Sequence, residues 1–223
     1  MKKLILLAFM LIASAFAGEM QEKFCDDKSL SYCINHFDRQ CEAKNYFACL
    51  VVGTLYYEQK QYGKTKKYLE MVCDKANSKD SYETEWIDGG VMEFQATMFM
   101  GDTCHNLGRL YYNGTGVRQS YEKALQYNKK ACDLGVGIGC AGVGIVYYEG
   151  KDVKKDLNLA IKFVAKSCEL KFGSGCFKLG VLYKYGIDVK QNYSKAKELF
   201  GKACDLGEQK GCDNYKELKE KGY

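Results

Sequence analysis

The sequence predicts an all-α fold, an αα-hairpin solenoid with a disulfide staple at each hairpin corner. Three observations carry this. Ten of the twelve cysteines form pairs in Cys-x7-Cys spacing: Cys25/Cys33, Cys41/Cys49, Cys132/Cys140, Cys168/Cys176 and Cys204/Cys212. The last three pairs recur every 36 residues, a period that belongs to stacked two-helix units. Glycines and N-capping residues fall at fixed offsets from those cysteines, while proline is absent from the chain.

Each element follows in chain order. Residues 1–17 read as a signal peptide: Lys2 and Lys3, an apolar run Leu4–Ile12, then small residues ending Ala15-Phe16-Ala17. That run is shorter than the roughly 20 apolar residues of a membrane span, and no later stretch is apolar enough either. An exported protein, secreted or periplasmic, is therefore expected, with no membrane span. An even cysteine count in that compartment implies a disulfide framework. Two residues eight apart on one helix lie about 12 Å apart, whereas bonded cysteines need Cα atoms within roughly 7 Å. Each bridge must therefore close over a chain reversal, supplied by Asp133-Leu134-Gly135, Gly173-Ser174-Gly175 and Asp205-Leu206-Gly207. The expected pairs are Cys25–Cys33, Cys41–Cys49, Cys73–Cys104, Cys132–Cys140, Cys168–Cys176 and Cys204–Cys212. Cys33 and Cys41 are also eight apart, and only a helix over 34–40 excludes their pairing.

Residues 18–40 form an N-terminal cap, followed by a short repeat over 41–76 and an insertion over 77–98. Full repeats follow at 99–135, 136–171 and 172–207, and a capping helix at 208–223 closes the chain. In the first helices of the repeats beginning at Cys104, Cys140 and Cys176, the cysteine, the aliphatic at +3, the glycine at +4 and the tyrosine at +7 share a face. Gly108, Gly144 and Gly180 cost helix propensity, which predicts close helix crossings. Second helices open at the N-cap residues Ser120, Asp156 and Asn192 and present Ala124, Ala160 and Ala196 to the crossing. The insertion carries the one tryptophan, Trp86. It reads either as a surface excursion or as a ligand-contacting loop.

The pattern Leu-Gly-x-Leu-Tyr-x-x-Gly-x-Gly-Val at Leu107–Val117, with Lys123-Ala124 following, resembles the Sel1-like repeat, a relative of tetratricopeptide repeats. With a bridge at every corner and the N-terminal stretch, the chain is similar to the Helicobacter cysteine-rich proteins, over roughly residues 41–76 and 99–212. It departs from the pattern between Cys49 and Cys73, four residues shorter than the 28-residue equivalents, and in the insertion. The resemblance implies penicillin binding and weak β-lactamase activity. A serine enzyme of that type uses Ser-x-x-Lys with Ser-Asp-Asn and Lys-Thr-Gly elements. Ser120/Lys123 and Ser194/Lys197 match the first string only. Ser120 also stands in the N-cap register of Asp156 and Asn192, so capping explains it.

Other chemistry has little support. His36 and His105 are the only histidines, and there is no short Cys-x2–4-Cys pair to bind a metal. No Cys-x-x-Cys offers a redox thiol, and no cofactor is expected. The net charge of +5 falls to about +3 without the two N-terminal lysines, too balanced for nucleic-acid binding. The expected function is binding of a protein or peptide on the concave face by a monomer, the alternative being a β-lactam or peptidoglycan-like ligand. Tyr57, Arg109, Tyr112, Tyr148, Val181 and Lys184 stand on the side of the first helices that the stacking face leaves over, with Trp86 at the edge. They are expected to meet the partner. Packing between repeats is the competing role for the tyrosines.

Overall fold

The computed structural model describes residues 29–76 and 93–223, and ten α-helices account for the regular structure there. Cys25, Trp86, the N-terminal stretch and most of the insertion lie outside the described residues. The chain divides into two compact units, 1–75 and 76–223.

The first unit holds α1 (Leu30–Glu42), α2 (Tyr46–Glu58) and α3 (Tyr62–Lys75). Ser29 and Asn45 cap α1 and α2, their side chains accepting from the backbone N–H of Tyr32 and Ala48. Phe37, Val51, Val52 and Val72 fill the core. The Tyr68 hydroxyl donates to Asp38 Oδ1 at 2.7 Å, tying α3 to α1. Cys33 and Cys41 share α1, which excludes a bond between them, and Cys41 pairs with Cys49 across the α1–α2 corner at a Cα separation of 4.6 Å. Cys33 and Cys73 are also disulfide-bonded, as is Cys104 of the second unit.

The second unit runs α4 (Glu93–Asn113), α5 (Tyr121–Asp133), α6 (Gly137–Glu149), α7 (Leu157–Glu169), α8 (Gly173–Tyr185), α9 (Tyr193–Asp205) and α10 (Gln209–Glu220). Consecutive helices pack antiparallel as hairpins. The bridges Cys132–Cys140, Cys168–Cys176 and Cys204–Cys212 close the corners at Cα separations of 4.5, 4.4 and 4.6 Å. The caps Ser120, Asp156 and Asn192 each accept from the N–H three residues on, opening α5, α7 and α9.

One corner differs from the sequence expectation. Between Cys168 and Cys176 the chain reverses at Lys171, φ 59°, and not at Gly173–Gly175. Those glycines are already helical. A Cβ on Gly175 would run into the Ser167 hydroxyl, so Gly175 is needed for helix approach and not for backbone conformation. The last corner is also more open on its second-helix side. Cys140 and Cys176 are buried, whereas Cys212 on α10 is only half-buried; the partner cysteines Cys168 and Cys204 are both half-buried. The reason is position: α10 is the last helix of the stack among the described residues, so none packs over the outer side of this bridge. The last helix, α10, ends at Glu220 with Lys221 as its C-cap. The crossing glycines behave as their low propensity suggests. A Cβ on Gly144 would lie 2.9 Å from Val164 Cγ2, and one on Gly180 2.7 Å from Phe200 Cε1.

Two titratable groups on α4 give the second unit opposing pH dependences. Burial pushes the His105 imidazole down to about 4, and its Nδ1–H donates to Asn128 Oδ1 at 2.8 Å. Burial also raises the Asp102 carboxyl to about 6. Between pH 6.5 and 4 the unfolded histidine takes a proton that the folded one refuses, so His105 costs stability as pH falls, about 3 kcal/mol in full. Between pH 6 and 3.8 folded Asp102 holds a proton that the unfolded one releases, so it contributes stability as pH falls. The wild-type stability curve is therefore expected to be shallow from pH 6.5 to 4. Asp102→Asn should unmask a decline of about 3 kcal/mol over that range, read by urea unfolding at several pH values. A variant curve as shallow as the wild type would contradict the His105 assignment.

Candidate functional site: an apolar groove between two repeats

An apolar groove of about 350 Å³ opens where α6, α7 and α8 meet. Gly144, Ile145 and Tyr148 form the α6 wall, Leu157, Ala160, Ile161 and Val164 the floor on α7, and Phe177, Lys178, Val181 and Leu182 the α8 wall. Ile187 and Asp188 stand at the end of α8. The sequence makes the groove through side-chain size. Position 164 carries valine where the next repeat carries Phe200, whose ring fills the equivalent crossing beside Gly180. The α7–α8 junction is also the most loosely packed of this unit's three corners.

The predicted contact residues do not share one fate. Tyr148 lines the groove and is 54% exposed, and Val181 lines the opposite wall while also packing against the Phe200 cluster. Arg109 is partly exposed on α4. Tyr57 is 37% exposed and packs edge-to-face on Tyr62, at 5.4 Å between centroids, within the first unit. Tyr112 is tied down: its hydroxyl donates to Glu149 Oε1 at 2.7 Å, across a repeat boundary. Burial and that bond push its hydroxyl up to about 12. Lys184 corrects the expectation of a side chain free for a partner. It is 8% exposed, and its ammonium donates to Glu217 Oε2 at 2.7 Å and Asn214 Oδ1 at 2.9 Å. The C-terminal helix α10 covers it and supplies both acceptors, so Lys184 docks the cap that Cys212 staples from the other end. Trp86 lies outside the described residues.

Both Ser-x-x-Lys matches stand at helix starts. Ser120 Oγ accepts from the Lys123 backbone N–H at 3.2 Å, and Lys123 Nζ sits 5.0 Å from the centroid of the Tyr111 ring. Ser194 is exposed in the first turn of α9, and Lys197 is partly buried one turn on. Ser120→Ala is expected to cost about 1 kcal/mol through loss of the cap. Neither it nor Ser194→Ala should change any turnover of nitrocefin by the oxidised protein. Among the described residues no group of three His, Cys, Asp or Glu side chains could hold a metal ion, and no helix is long and apolar enough to cross a membrane.

Sequence reasoning missed Leu157, Ile161, Phe177 and Ile187. The signal was available for Leu157, which stands in the register occupied by Tyr121 and Tyr193 in the sister repeats.

Comparison with known proteins places these features in a family. The Sel1 repeat family matches at residues 101–136, 138–172 and 173–208, three consecutive hairpins of the second unit. Helicobacter pylori cysteine-rich protein B is 32% identical, covering 56% of this chain and 98% of its own length, with a TM-score of 0.43. The chain belongs to the Sel1 repeat family. A Sel1 repeat protein from Oxalobacter formigenes shares the fold at 18% identity and a TM-score of 0.65, covering 89% of this chain and 72% of that one. A protective antigen of uropathogenic Escherichia coli strains that displays an SLR fold is similar at 19% identity and a TM-score of 0.50, over 85% of this chain and 44% of that one. No curated protein matches the chain. The groove therefore lies between the second and third matched Sel1 repeats, on a disulfide-rich scaffold.

Proposed function

We propose that this Sel1 repeat protein is an exported scaffold that binds a protein or peptide along its first helices, with the α6–α7–α8 groove as the principal contact. The observation that carries the reading is the groove itself. It joins two residues expected from the repeat pattern, Tyr148 and Val181, to an apolar floor. Rigid aromatic and aliphatic side chains around a concavity are what interface anchors need. Repeat scaffolds use their extended surfaces in this way. Export is supported by the disulfides and by the N-terminal charge and hydropathy pattern. On this reading all twelve cysteines are paired, Cys25 with Cys33 and Cys73 with Cys104 included. Non-reducing peptide mapping of the exported protein checks that map, and a free thiol would contradict it.

The binding reading is tested by placing a photo-crosslinking amino acid at position 148, and separately at the exposed Lys162 on α7, in the protein as secreted. A defined protein adduct is expected from position 148 and none from 162. Adducts from neither position, or equally from both, would remove the support for a groove-directed partner. The β-lactam alternative rests on resemblance alone, and stoichiometric acylation of the oxidised protein by a labelled penicillin would revive it.

A further inference from the structure

The three full repeats share one connection between first and second helices, and the middle one has lost its internal bracket. In the first, Gln119 Nε2 donates to the Tyr112 carbonyl at 2.8 Å and to the Tyr121 hydroxyl at 2.9 Å. Tyr112 meets Tyr121 edge-to-face at 5.4 Å, and its hydroxyl reaches on to Glu149. In the third, Gln191 Nε2 donates to the Lys184 carbonyl and the Tyr193 hydroxyl, each at 2.9 Å, and Lys184 reaches on to Glu217. The equivalent residues of the middle repeat are Lys155, Leu157 and Tyr148, with Tyr185 in the place of Glu149.

These replacements remove the amide donor, its hydroxyl acceptor and the carboxylate beyond the bracket, and keep the tyrosine. Leu157 has no hydroxyl to accept, and Tyr185 has no carboxylate to receive the Tyr148 hydroxyl. Lys155 has swung over Tyr148, its Nζ 5.3 Å from the ring centroid. It is exposed, and no carboxylate lies within ion-pair distance of it among the described residues. The result is an apolar groove whose aromatic wall has a cation at its edge. A cation on an aromatic face and an apolar floor together recognise an anionic group next to an apolar side chain.

We propose that the groove is a specificity site for a peptide segment that buries one large apolar side chain and sets a carboxylate against Lys155. This rests on the binding function above and names its ligand class. A volume of about 350 Å³ lies at the small end of ligand sites, about 300–1,000 Å³, and suits one aromatic or aliphatic side chain, not a folded element. Lys178 and Asp188 also line the groove on the α8 side; Lys178 has a partner of its own and Asp188 is negative, so the ligand carboxylate belongs on the Lys155 side and the segment has a fixed direction.

The test uses the oxidised full chain and fluorescein-labelled decapeptides of glycine and serine. Their central residue is Phe or Ser, with Glu or Lys two positions later, and binding is read by fluorescence anisotropy. The Phe/Glu peptide is expected to bind at least tenfold tighter than Ser/Glu and at least fivefold tighter than Phe/Lys. Lys155→Glu, a surface change, should reverse the preference between Phe/Glu and Phe/Lys. Lys155→Gln with Leu157→Tyr rebuilds the sister-repeat bracket and should abolish binding of all probes with helical content unchanged. Equal affinity for Phe/Glu and Phe/Lys, an unaltered preference in Lys155→Glu, or no binding of any probe would overturn the proposal. The photo-crosslinked protein adduct at position 148 would survive such a failure, and its loss would instead remove the binding function.

Discussion

Phe200→Ala is expected to destabilise the second unit by about 3–5 kcal/mol, the range for removing a fully buried aromatic ring. Phe200 is 0% exposed and packs with Ala196 and Leu218, which joins α9 to the capping helix α10. Its ring also lies against Gly180, which has no side chain to refill the space left behind. The groove should feel the change as well. Phe177, a groove-wall residue, contacts Phe200 with ring centroids 5.7 Å apart and would lose its support. Urea unfolding measures the first effect. A loss below about 1 kcal/mol would show that the repeat relaxes around the missing ring.

Replacing Cys168 and Cys176 together by alanine is expected to cost about 2–3 kcal/mol, the loop-closure contribution of so short a bridge. Because the bridge closes its own corner, and each hairpin contacts mainly its neighbours, the loss should be local. Hydrogen exchange should quicken in α7 and α8 and remain slow in α4 and α5. This corner is the one to choose because its α7–α8 packing is the loosest, so the staple has the least help from buried contacts. Uniform loosening from α4 to α10 would contradict the one-dimensional picture.

Much of this fold is legible in the residues. The Cys-x7-Cys spacing forces a reversal, the Ser120, Asp156 and Asn192 register marks helix starts, and the crossing glycines sit where side chains would collide. The corner at Lys171 was not legible, because a lysine takes the left-handed conformation there and the nearby glycines serve packing instead. Nor does the spacing tell that Cys212 is less buried than Cys140 and Cys176, since burial depends on which helices stack outside the bridge. The site was half legible. A period-36 alignment finds the outward tyrosine positions, but it cannot tell that Tyr112 finds Glu149 one repeat on, or that α10 folds over Lys184. Those are contacts between repeats, set by residues some thirty positions away. Tyr148 stays open because the residue that would have bound it is Tyr185.

The affinity of the protein cross-linked at position 148, measured for wild type and Tyr148→Ala, tests the central claim most directly. Tyr148 is 54% exposed and makes no hydrogen bond across the repeat boundary among the described residues, so its removal should leave helical content intact. The account predicts at least a tenfold loss of affinity, as for an interface anchor. Unchanged affinity in a normally folded variant would contradict it and move the partner off the groove.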